Sequence, residues 1–251
     1  MRVKPASHPV RIGVGGWTYE PWRGAFYPEG LTQKRELEYA AGKFSSIEIN
    51  GTYYGSQKPG TFAKWRDETP AGFVFALKGP RFATNRRVLA EAGSSIERFF
   101  ASGVTELREK LGPINWQFMA TKKFDAADFA AFLGLLPHRV DGRDIRHAVE
   151  VRHESFADPA FVALARAHEV AIVVAGDSAF PHIAEPTAPF VYARIMGTIE
   201  AEPLGYPKAA LDRWARQAKA WSAKQEVFLY VISGMKQRNP AAAMALIDRL
   251  G

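Results

Sequence analysis

Residues 146–177, RHAVEVRHESFADPAFVALARAHEVAIVVAGD, contain the pattern that decides the fold prediction. Two runs rich in β-branched residues, 146–153 and 170–177, have the length and composition of buried strands. The stretch between them, 158–169, is helix-like. A strand, a helix and a second strand within about 30 residues predict one βαβ unit, in which the two strands are parallel.

The same unit recurs along the chain. The predicted strands are 10–17, 45–54, 72–78, 113–119, 146–153, 170–177, 189–197 and 226–236. The predicted helices are 32–43, 60–69, 93–111, 125–136, 158–169, 208–224 and 240–250, so only the link after strand six lacks one. Eight strands in 251 residues predict an α/β fold of the TIM-type (β/α) barrel class.

A doubly wound open sheet is the alternative fold. That fold usually carries a phosphate-binding loop, and GVGGW at 13–17 completes neither the dinucleotide-binding nor the P-loop pattern. No Pro/Gly/Ser-rich segment and no abrupt change of composition divides the chain. We therefore expect a single barrel domain over residues 1–251.

Composition narrows the class of protein. With 47% hydrophobic and 24% charged residues the chain is typical of globular proteins. It has no cysteine, which excludes disulfides, thiolate metal sites and a cysteine nucleophile and favours a cytoplasmic location. The opening MRVKPASHPVRIG lacks the apolar run of a signal peptide, and no apolar stretch is long enough to cross a membrane. The net charge of +7 favours anionic partners.

Charged side chains occupy strand positions that are predicted to face the barrel interior. Residues i and i+2 share one face of a strand, so Glu48 and Asn50 face inward where the alternating isoleucines of SIEIN face the helices. The same reasoning directs Glu150 and Arg152 inward from AVEVRH. Further residues predicted to point inward or to end a strand are Lys78, Asp177, Tyr192 and Arg194.

These charges occur late in their strands, where TIM-barrel active sites lie. The alternative is an internal network of salt bridges that only neutralises itself. Because a buried ion pair often stabilises a fold no better than apolar packing does, we favour a functional site.

Other candidates lie in the loops. Trp17 and Tyr19 follow strand one and form either a stacking wall for a ligand or a plug on the barrel. Arg81, Arg86 and Arg87 follow strand three beside Lys78 and are enough to hold a phosphate or carboxylate, although a solvated loop explains the outer two arginines equally well. His153 follows strand five as a candidate acid or base, and Lys236 follows strand eight, near which this fold often binds phosphate. No metal-ligand spacing is present, so we expect no metal and no cofactor.

Several motifs in this order resemble the YecE-like family, also called domain of unknown function 72. They are GVGGWTYEPWRGAFYP at 13–28, IEINGTYY at 47–54, FVFALK at 73–78, LGPINWQF at 111–118, AVEVRH at 148–153 and YARIMG at 192–197. The resemblance covers nearly the whole chain and implies a TIM-type barrel. It implies no defined activity.

The chain departs from the family pattern at three places. Met196 stands where the family usually has a histidine, Met119 and Ala120 stand where it has prolines, and VISGMK lacks an asparagine usual near the end of strand eight. These departures indicate a divergent branch with an altered substrate or lost activity.

The sequence favours an enzyme that performs acid–base chemistry on a small phosphorylated or carboxylated substrate. The reaction classes left open are metal-independent hydrolase, lyase and isomerase. Glu48 and Glu150 are the first acid–base candidates, since neighbouring charges and burial can move a carboxyl pKa toward neutrality. The predicted catalytic residues are Glu48, Glu150, Asp177 and His153. The predicted binding residues are Trp17, Tyr19, Asn50, Tyr53, Lys78, Arg81, Gln117, Arg152, Arg194 and Lys236.

Two other hypotheses remain. One is a nucleic-acid-binding or processing barrel. The net charge and the aromatic residues favour it, whereas the spread of the basic residues over the chain argues against it. We expect weak, non-specific binding only. The other is a ligand-binding descendant without catalysis. We expect no membrane partner, and the sequence leaves the oligomeric state open.

Overall fold

A computed structural model describes residues 7–251 of the chain. Eight parallel strands build its main sheet. They are β1 Val10–Gly15, β2 Ser46–Ile49, β3 Val74–Lys78, β4 Leu111–Gln117, β5 His147–Glu150, β6 in two segments Ala171–Ile172 and Val174–Gly176, β7 Phe190–Ile195 and β8 Glu226–Val231. Residues 1–6, part of the stretch considered above for a signal peptide, lie outside the described residues.

The strands follow one another around a barrel in sequence order. Each pairs with its neighbours in the chain, and β1 pairs with β8. The first segment of β6 pairs with β5 and the second with β7, and only Val173 separates the two segments. The amide of Val173 donates to the Val149 carbonyl at 2.9 Å, which keeps the strand in place between its segments. The predicted TIM-type barrel is confirmed, and the open doubly wound sheet is wrong.

Helices lie between the strands. They are α1 Glu36–Ala41, α2 Gly51–Tyr54, α3 Pro59–Asp67, α4 Arg81–Thr84, α5 Gly93–Ala101, α6 Ala126–Gly134, α7 Pro159–Ala167, α8 Lys208–Ser222 and α9 Asn239–Leu250. The predicted helix 93–111 is instead α5 followed by a 3-10 segment, Val104–Lys110. Within the described chain, the link between β6 and β7 contains no helix, as predicted.

The predicted strand 45–54 is too long. β2 ends at Ile49, and Asn50 has helical backbone angles, with φ −86° and ψ −19°. The chain then turns through α2, whose Thr52 hydroxyl donates to the carbonyl of Lys78 at 2.7 Å. This bond fastens the turn after β2 to the end of β3.

Two apolar layers stabilise the barrel. The outer layer packs the strands against the helices, and the inner layer fills the barrel with residues such as Ala76, Tyr192 and Tyr230. Ile47 and Ile49 belong to the outer layer, as the alternation predicts. Gly13 marks a close approach of β1 to β2, because a Cβ there would lie 1.7 Å from the Ser46 carbonyl oxygen.

The amino-terminal end of the barrel carries a small ion network. Glu226, at the start of β8, accepts from Arg11 Nε and from Arg146 Nη1, each at 2.6 Å. The Arg146 guanidinium also lies 4.9 Å from the ring centroid of Phe228 in the inner layer. All three charged groups keep contact with solvent. No helix in residues 7–251 combines the length and the apolar character needed to span a membrane.

Candidate active site at the carboxyl ends of the strands

A cleft of about 650 Å³ opens at the carboxyl-terminal end of the barrel. Side chains from the ends of seven strands, and from the loops that follow them, line it. The polar lining residues are Thr18, Asn50, Gln57, Lys78, Gln117, Arg152, Arg194, Ser233, Lys236 and Asn239. This is the face where TIM barrels place their active sites.

The floor of the cleft is a buried ion network centred on Arg194 of β7. Arg194 Nη2 donates to Glu48 Oε1 at 2.9 Å, and Nη1 donates to Glu150 Oε2. Tyr192 completes the coordination of Glu48 by donating its hydroxyl to Oε2 at 2.6 Å. Both carboxylates are fully buried. The inward direction predicted for Glu48, Glu150 and Arg194 is therefore observed.

Arg152 extends this network toward solvent. Its Nε and Nη2 both donate to Glu150 Oε1, at 2.8 and 2.6 Å. Its guanidinium also lies over the ring of Phe180, 4.5 Å from the centroid. Arg152 Nη1 has no hydrogen-bond acceptor among residues 7–251, and the side chain lines the cleft. A bound ligand can use this donor.

Lys78, the last residue of β3, is buried beside the network. Its Nζ donates to Gln117 Oε1 at 2.6 Å, and the same oxygen lies 3.4 Å from Arg194 Nη1. The ring of Tyr53 covers the ammonium, with 4.5 Å from Nζ to the centroid. The carboxylates nearby, Glu48 and Glu150, are hydrogen-bonded to other groups, so Lys78 has a neutral amide as its partner.

These surroundings shift the pKa values in different directions. Burial, with the nearby charge of Arg194, lowers the pKa of Lys78 to about 8, although Glu48 and Glu150 oppose the shift. Burial alone would raise the pKa of Glu150, but the charges of Arg194, Arg152 and Lys78 outweigh it and lower that pKa to about 2. Burial and the charge of Glu48 raise the pKa of Tyr192.

The pKa of Glu150 therefore moves opposite to the expectation from sequence. A carboxylate with a pKa of about 2 stays ionised at neutral pH and is a poor proton donor. The pKa of Lys78, about 8, lies much nearer to neutrality than the ordinary lysine value of 10.5.

Aromatic residues flank the cleft on the side of β1. Trp17 lines it and packs edge-on against Trp65 of α3, with centroids 5.2 Å apart. Tyr19 lies under Lys236, whose Nζ is 4.0 Å from the ring centroid. Partial burial lowers the pKa of Lys236. Two separate predictions, the aromatic pair Trp17 and Tyr19 and the basic Lys236, thus meet at one side of the cleft, where Trp17 and Lys236 line it and Tyr19 contacts Lys236.

Three predicted site residues lie elsewhere. Asp177 points away from the barrel interior, because its backbone has a φ of 52° and the strand alternation ends there. Its carboxylate accepts from Trp214 Nε1 at 2.6 Å and from Arg213 at 3.1 Å, both on α8. His153 Nδ1 is hydrogen-bonded to Ser155, in a separate hollow beside Phe180.

Arg81 is exposed outside the cleft. It lies over the rings of Tyr54 and Phe82, 5.9 and 5.4 Å from the centroids. Conversely, the sequence analysis missed Asn115, which is buried and donates to Glu150 Oε2 at 3.3 Å. Its position two residues before Gln117 in β4 is the signal that identifies it, since both share the inward face. Trp65, on α3, carried no comparable signal.

The loops after β7 and β8 pack tightly against each other. The Thr198 hydroxyl donates to Asn239 Oδ1 at 2.8 Å, and a Cβ on Gly234 would lie 2.5 Å from that hydroxyl. Lys236 nevertheless reaches the cleft. Among the described residues, no group of three or more His, Asp or Glu side chains is arranged to hold a metal ion.

Residues 11–251 match the family model described as "Protein of unknown function DUF72". The chain belongs to the DUF72 family. The UPF0759 protein YecE of Escherichia coli K12 is 28% identical over 150 residues, 59% of this chain and 50% of that protein. The UPF0759 protein YunF of Bacillus subtilis is 26% identical over 158 residues, 61% of this chain and 54% of that protein. The chain spans about half the length of these curated relatives.

Solved structures of DUF72 proteins share the fold. One from Thermotoga maritima has a TM-score of 0.75 at 23% identity, covering 96% of this chain and 97% of that one. One from Enterococcus faecalis has a TM-score of 0.76 at 17% identity, covering 96% and 95%. A xylose isomerase-like TIM barrel/4-hydroxyphenylpyruvate dioxygenase fusion protein has a TM-score of 0.54 at 13% identity, covering 98% and 44%.

The residues interpreted above as departures from the family pattern, Met196, Met119 and Ala120, do not line the cleft. Met196 is buried in the inner apolar layer just beyond β7. Met119 is exposed after β4, and Ala120 lines the hollow that contains His153.

Proposed function

We propose that this DUF72 protein is an enzyme that performs acid–base chemistry on a small phosphorylated or carboxylated substrate in the cleft. The observation that carries the proposal is Lys78. It is a buried amine at the end of a barrel strand, it lines the cleft, and its pKa is lowered to about 8. A group with such a pKa exchanges protons efficiently near neutral pH.

The charges of the cleft support an anionic substrate. Four basic side chains line it, namely Lys78, Arg152, Arg194 and Lys236. The two carboxylates of the network lie beneath the surface and have no exposed area. Arg152 Nη1 offers donors that match a phosphate or carboxylate oxygen.

The carboxylates have a positioning role in this proposal. Glu150 accepts from both Arg152 and Arg194, which fixes the two guanidinium groups relative to each other. Glu48 holds the other side of Arg194. We therefore assign proton transfer to Lys78, and the orientation of the anion to Arg152 and Lys236.

Ligand-dependent thermal stability tests the anion site, because a ligand that binds the folded state alone stabilises it. Inorganic phosphate and citrate should raise the melting temperature of the unaltered protein. Arg152→Met and Lys236→Met should each reduce that gain, whereas Arg166→Met, which removes an exposed charge outside the cleft, should preserve it. No stabilisation of the unaltered protein by either anion would contradict the proposal.

Catalysis is tested separately. A panel of phosphorylated and carboxylated metabolites would be incubated with the protein and each mixture analysed for products by mass spectrometry. Turnover that is lost in Lys78→Met supports the enzyme. Binding with no turnover across the panel would favour the ligand-binding descendant.

One observation favours nucleic acid as a second candidate partner. Tyr54 and Phe82 are 64% and 61% exposed, and the Arg81 guanidinium contacts both rings. Exposed aromatic rings with arginine can stack on bases. Binding of a random single-stranded oligonucleotide would fall steeply with salt and be weakened by Tyr54→Ala and Phe82→Ala. Submicromolar affinity at physiological salt would rank this function first.

A further inference from the structure

Lys78, in the cleft, lacks the contacts that are usual for a buried lysine that serves only as a positive charge. Lys78 has no carboxylate within salt-bridge distance in residues 7–251, and its single hydrogen bond goes to the amide oxygen of Gln117. That oxygen also faces the positive Arg194 at 3.4 Å. Lys110, the other lysine buried within residues 7–251, donates to Arg66 O, Thr69 O and Thr69 Oγ1.

We infer that Lys78 Nζ is a nucleophile that forms an imine with the carbonyl carbon of a small 2-oxo acid. The inference rests on the proposed function, names its substrate class as 2-oxo acids, and gives Lys78 a covalent role in addition to proton transfer. Lysines become nucleophiles where burial or a neighbouring cation favours the neutral amine, and both conditions hold here. The lowered pKa of Lys78 agrees with this geometry.

The neighbours of Lys78 orient its amine. Gln117 Oε1 accepts one N–H at 2.6 Å, and the Tyr53 ring covers a second side at 4.5 Å. The remaining side belongs to the lining of the cleft. The charged groups that face the amine are Glu48 from β2, Glu150 and Arg152 from β5 and its end, and Arg194 from β7.

The carboxylate of a 2-oxo acid has a binding partner in the same cleft. Arg152 uses Nε and Nη2 on Glu150, which leaves Nη1 to the ligand. Both residues line this one cleft, so we expect a 2-oxo acid to place its carbonyl carbon at Lys78 and its carboxylate at Arg152.

The step balances without another reactant. The Nζ lone pair bonds to the carbonyl carbon, and the π electron pair of the carbonyl moves to its oxygen. The two protons of the amine pass to that oxygen, which leaves as water while the carbon–nitrogen double bond forms. Protonation of the imine makes it an electron sink for cleavage of a neighbouring bond.

Reductive trapping tests the inference. The protein would be incubated at pH 7 with glyoxylate or pyruvate and sodium cyanoborohydride, and the adduct located by peptide mass mapping. Lys34 is an exposed reference lysine in the same sample. The lowered pKa gives Lys78 on the order of 100-fold more neutral amine than an ordinary lysine at this pH, so labelling should favour it at least tenfold.

Variants separate the possible outcomes. Lys78→Arg keeps the positive charge but forms no imine, and should remove the selective adduct, whereas Lys34→Met should leave it unchanged. Arg152→Met should slow labelling by pyruvate more than labelling by uncharged acetone. An unlabelled Lys78 in a protein that phosphate still stabilises would overturn the imine and leave the anion site standing. Absence of both effects would overturn both proposals.

Discussion

Two ion networks close the two ends of this barrel, and they differ in solvent contact. At the amino-terminal end Glu226 pairs with Arg11 and Arg146, and the three side chains are 20%, 21% and 34% exposed. At the carboxyl-terminal end Arg194 is 4% exposed, and Glu48 and Glu150 are fully buried.

The difference in exposure predicts how the protein responds to the loss of one charge at either end. A network in contact with water is screened and contributes little, so its removal is tolerated. A buried network is costly to assemble and is strongly destabilised when one member is lost. The carboxyl-terminal network therefore has to remain intact for the cleft above it to exist.

The largest expected effect comes from removing the centre of the buried network. Arg194→Met leaves Glu48 and Glu150 buried without their main partner, and should lower the free energy of unfolding by about 3 to 5 kcal/mol. Urea denaturation measures it. Arg146→Met is the matched variant at the opposite end and should cost under about 1 kcal/mol. Equal losses for the two variants would remove the distinction between the ends.

The second effect is loss of stability in acid. The pKa of Glu150 is lowered from an ordinary 4.5 to about 2, so the unfolded chain binds a proton before the native protein does. Ionised Glu150 contributes about 3 kcal/mol to the free energy of unfolding. This contribution is complete above pH 4.5 and is lost as the pH falls from 4.5 to about 2. Glu150→Gln should flatten this part of the stability curve, and Glu226→Gln should preserve it. An unchanged acid limb in Glu150→Gln would contradict the lowered pKa.

A third effect distinguishes the two buried lysines. The pKa of Lys78 is lowered from 10.5 to about 8, so at neutral pH the unfolded chain holds this proton more tightly than the native protein. Stability should rise between pH 8 and 10.5, and Lys78→Met should remove that rise. At pH 7 Lys78→Met should stabilise the protein by about 2 kcal/mol. The substitution removes the cost of holding a protonated amine in a buried position, and this gain exceeds the loss of one hydrogen bond.

Lys110→Met is the control for this prediction. It removes three hydrogen bonds from buried oxygens and should destabilise the protein by about 2 kcal/mol. Thermal and urea unfolding of both variants check the opposite signs. Destabilisation of similar size in both would show that Lys78 is as structural as Lys110.

The smallest effect belongs to Asp177. Asp177→Asn keeps a residue that tolerates positive φ and an oxygen for Trp214, and loses only the partly exposed pair with Arg213. The change in unfolding free energy should be under about 1 kcal/mol, and stabilisation by phosphate should be unaffected. A loss of phosphate binding as large as that of Arg152→Met would return Asp177 to the site.

Alternation along a strand predicted the site wherever the strand was regular. Ile47 and Ile49 pack outward, so Glu48 between them had to face the interior, and the same applied to Glu150 and Arg194. The method failed at Asp177, because one residue with a left-handed backbone reverses the direction of its side chain. The sequence around Asp177 gives no signal of this left-handed backbone conformation.

The protonation behaviour was not predictable from sequence. The pKa of a buried group depends on how many opposite charges contact it, and the two oxygens of Glu150 accept from Arg152, Arg194 and Asn115. The pairing of Lys78 with Gln117 likewise depends on the register of β3 and β4, which shifts between Phe75 and Leu77. The pKa values of Glu150 and Lys78 are therefore set by contacts between neighbouring strands, which the sequence does not specify.

Because β6 is divided into two short segments, it is paired to its neighbours over fewer residues than β7 and β8 are paired to each other. Ala171–Ile172 pair with β5 and Val174–Gly176 with β7, and the Val173 amide adds one bond to the Val149 carbonyl of β5. In contrast, β7 and β8 pair over the full length from Phe190 to Ile195. The helix-free link follows directly. Because few ladder bonds hold β6, we expect the amide hydrogens of residues 171–176 to exchange with solvent before those of β7. Local opening of the barrel should therefore begin at β6.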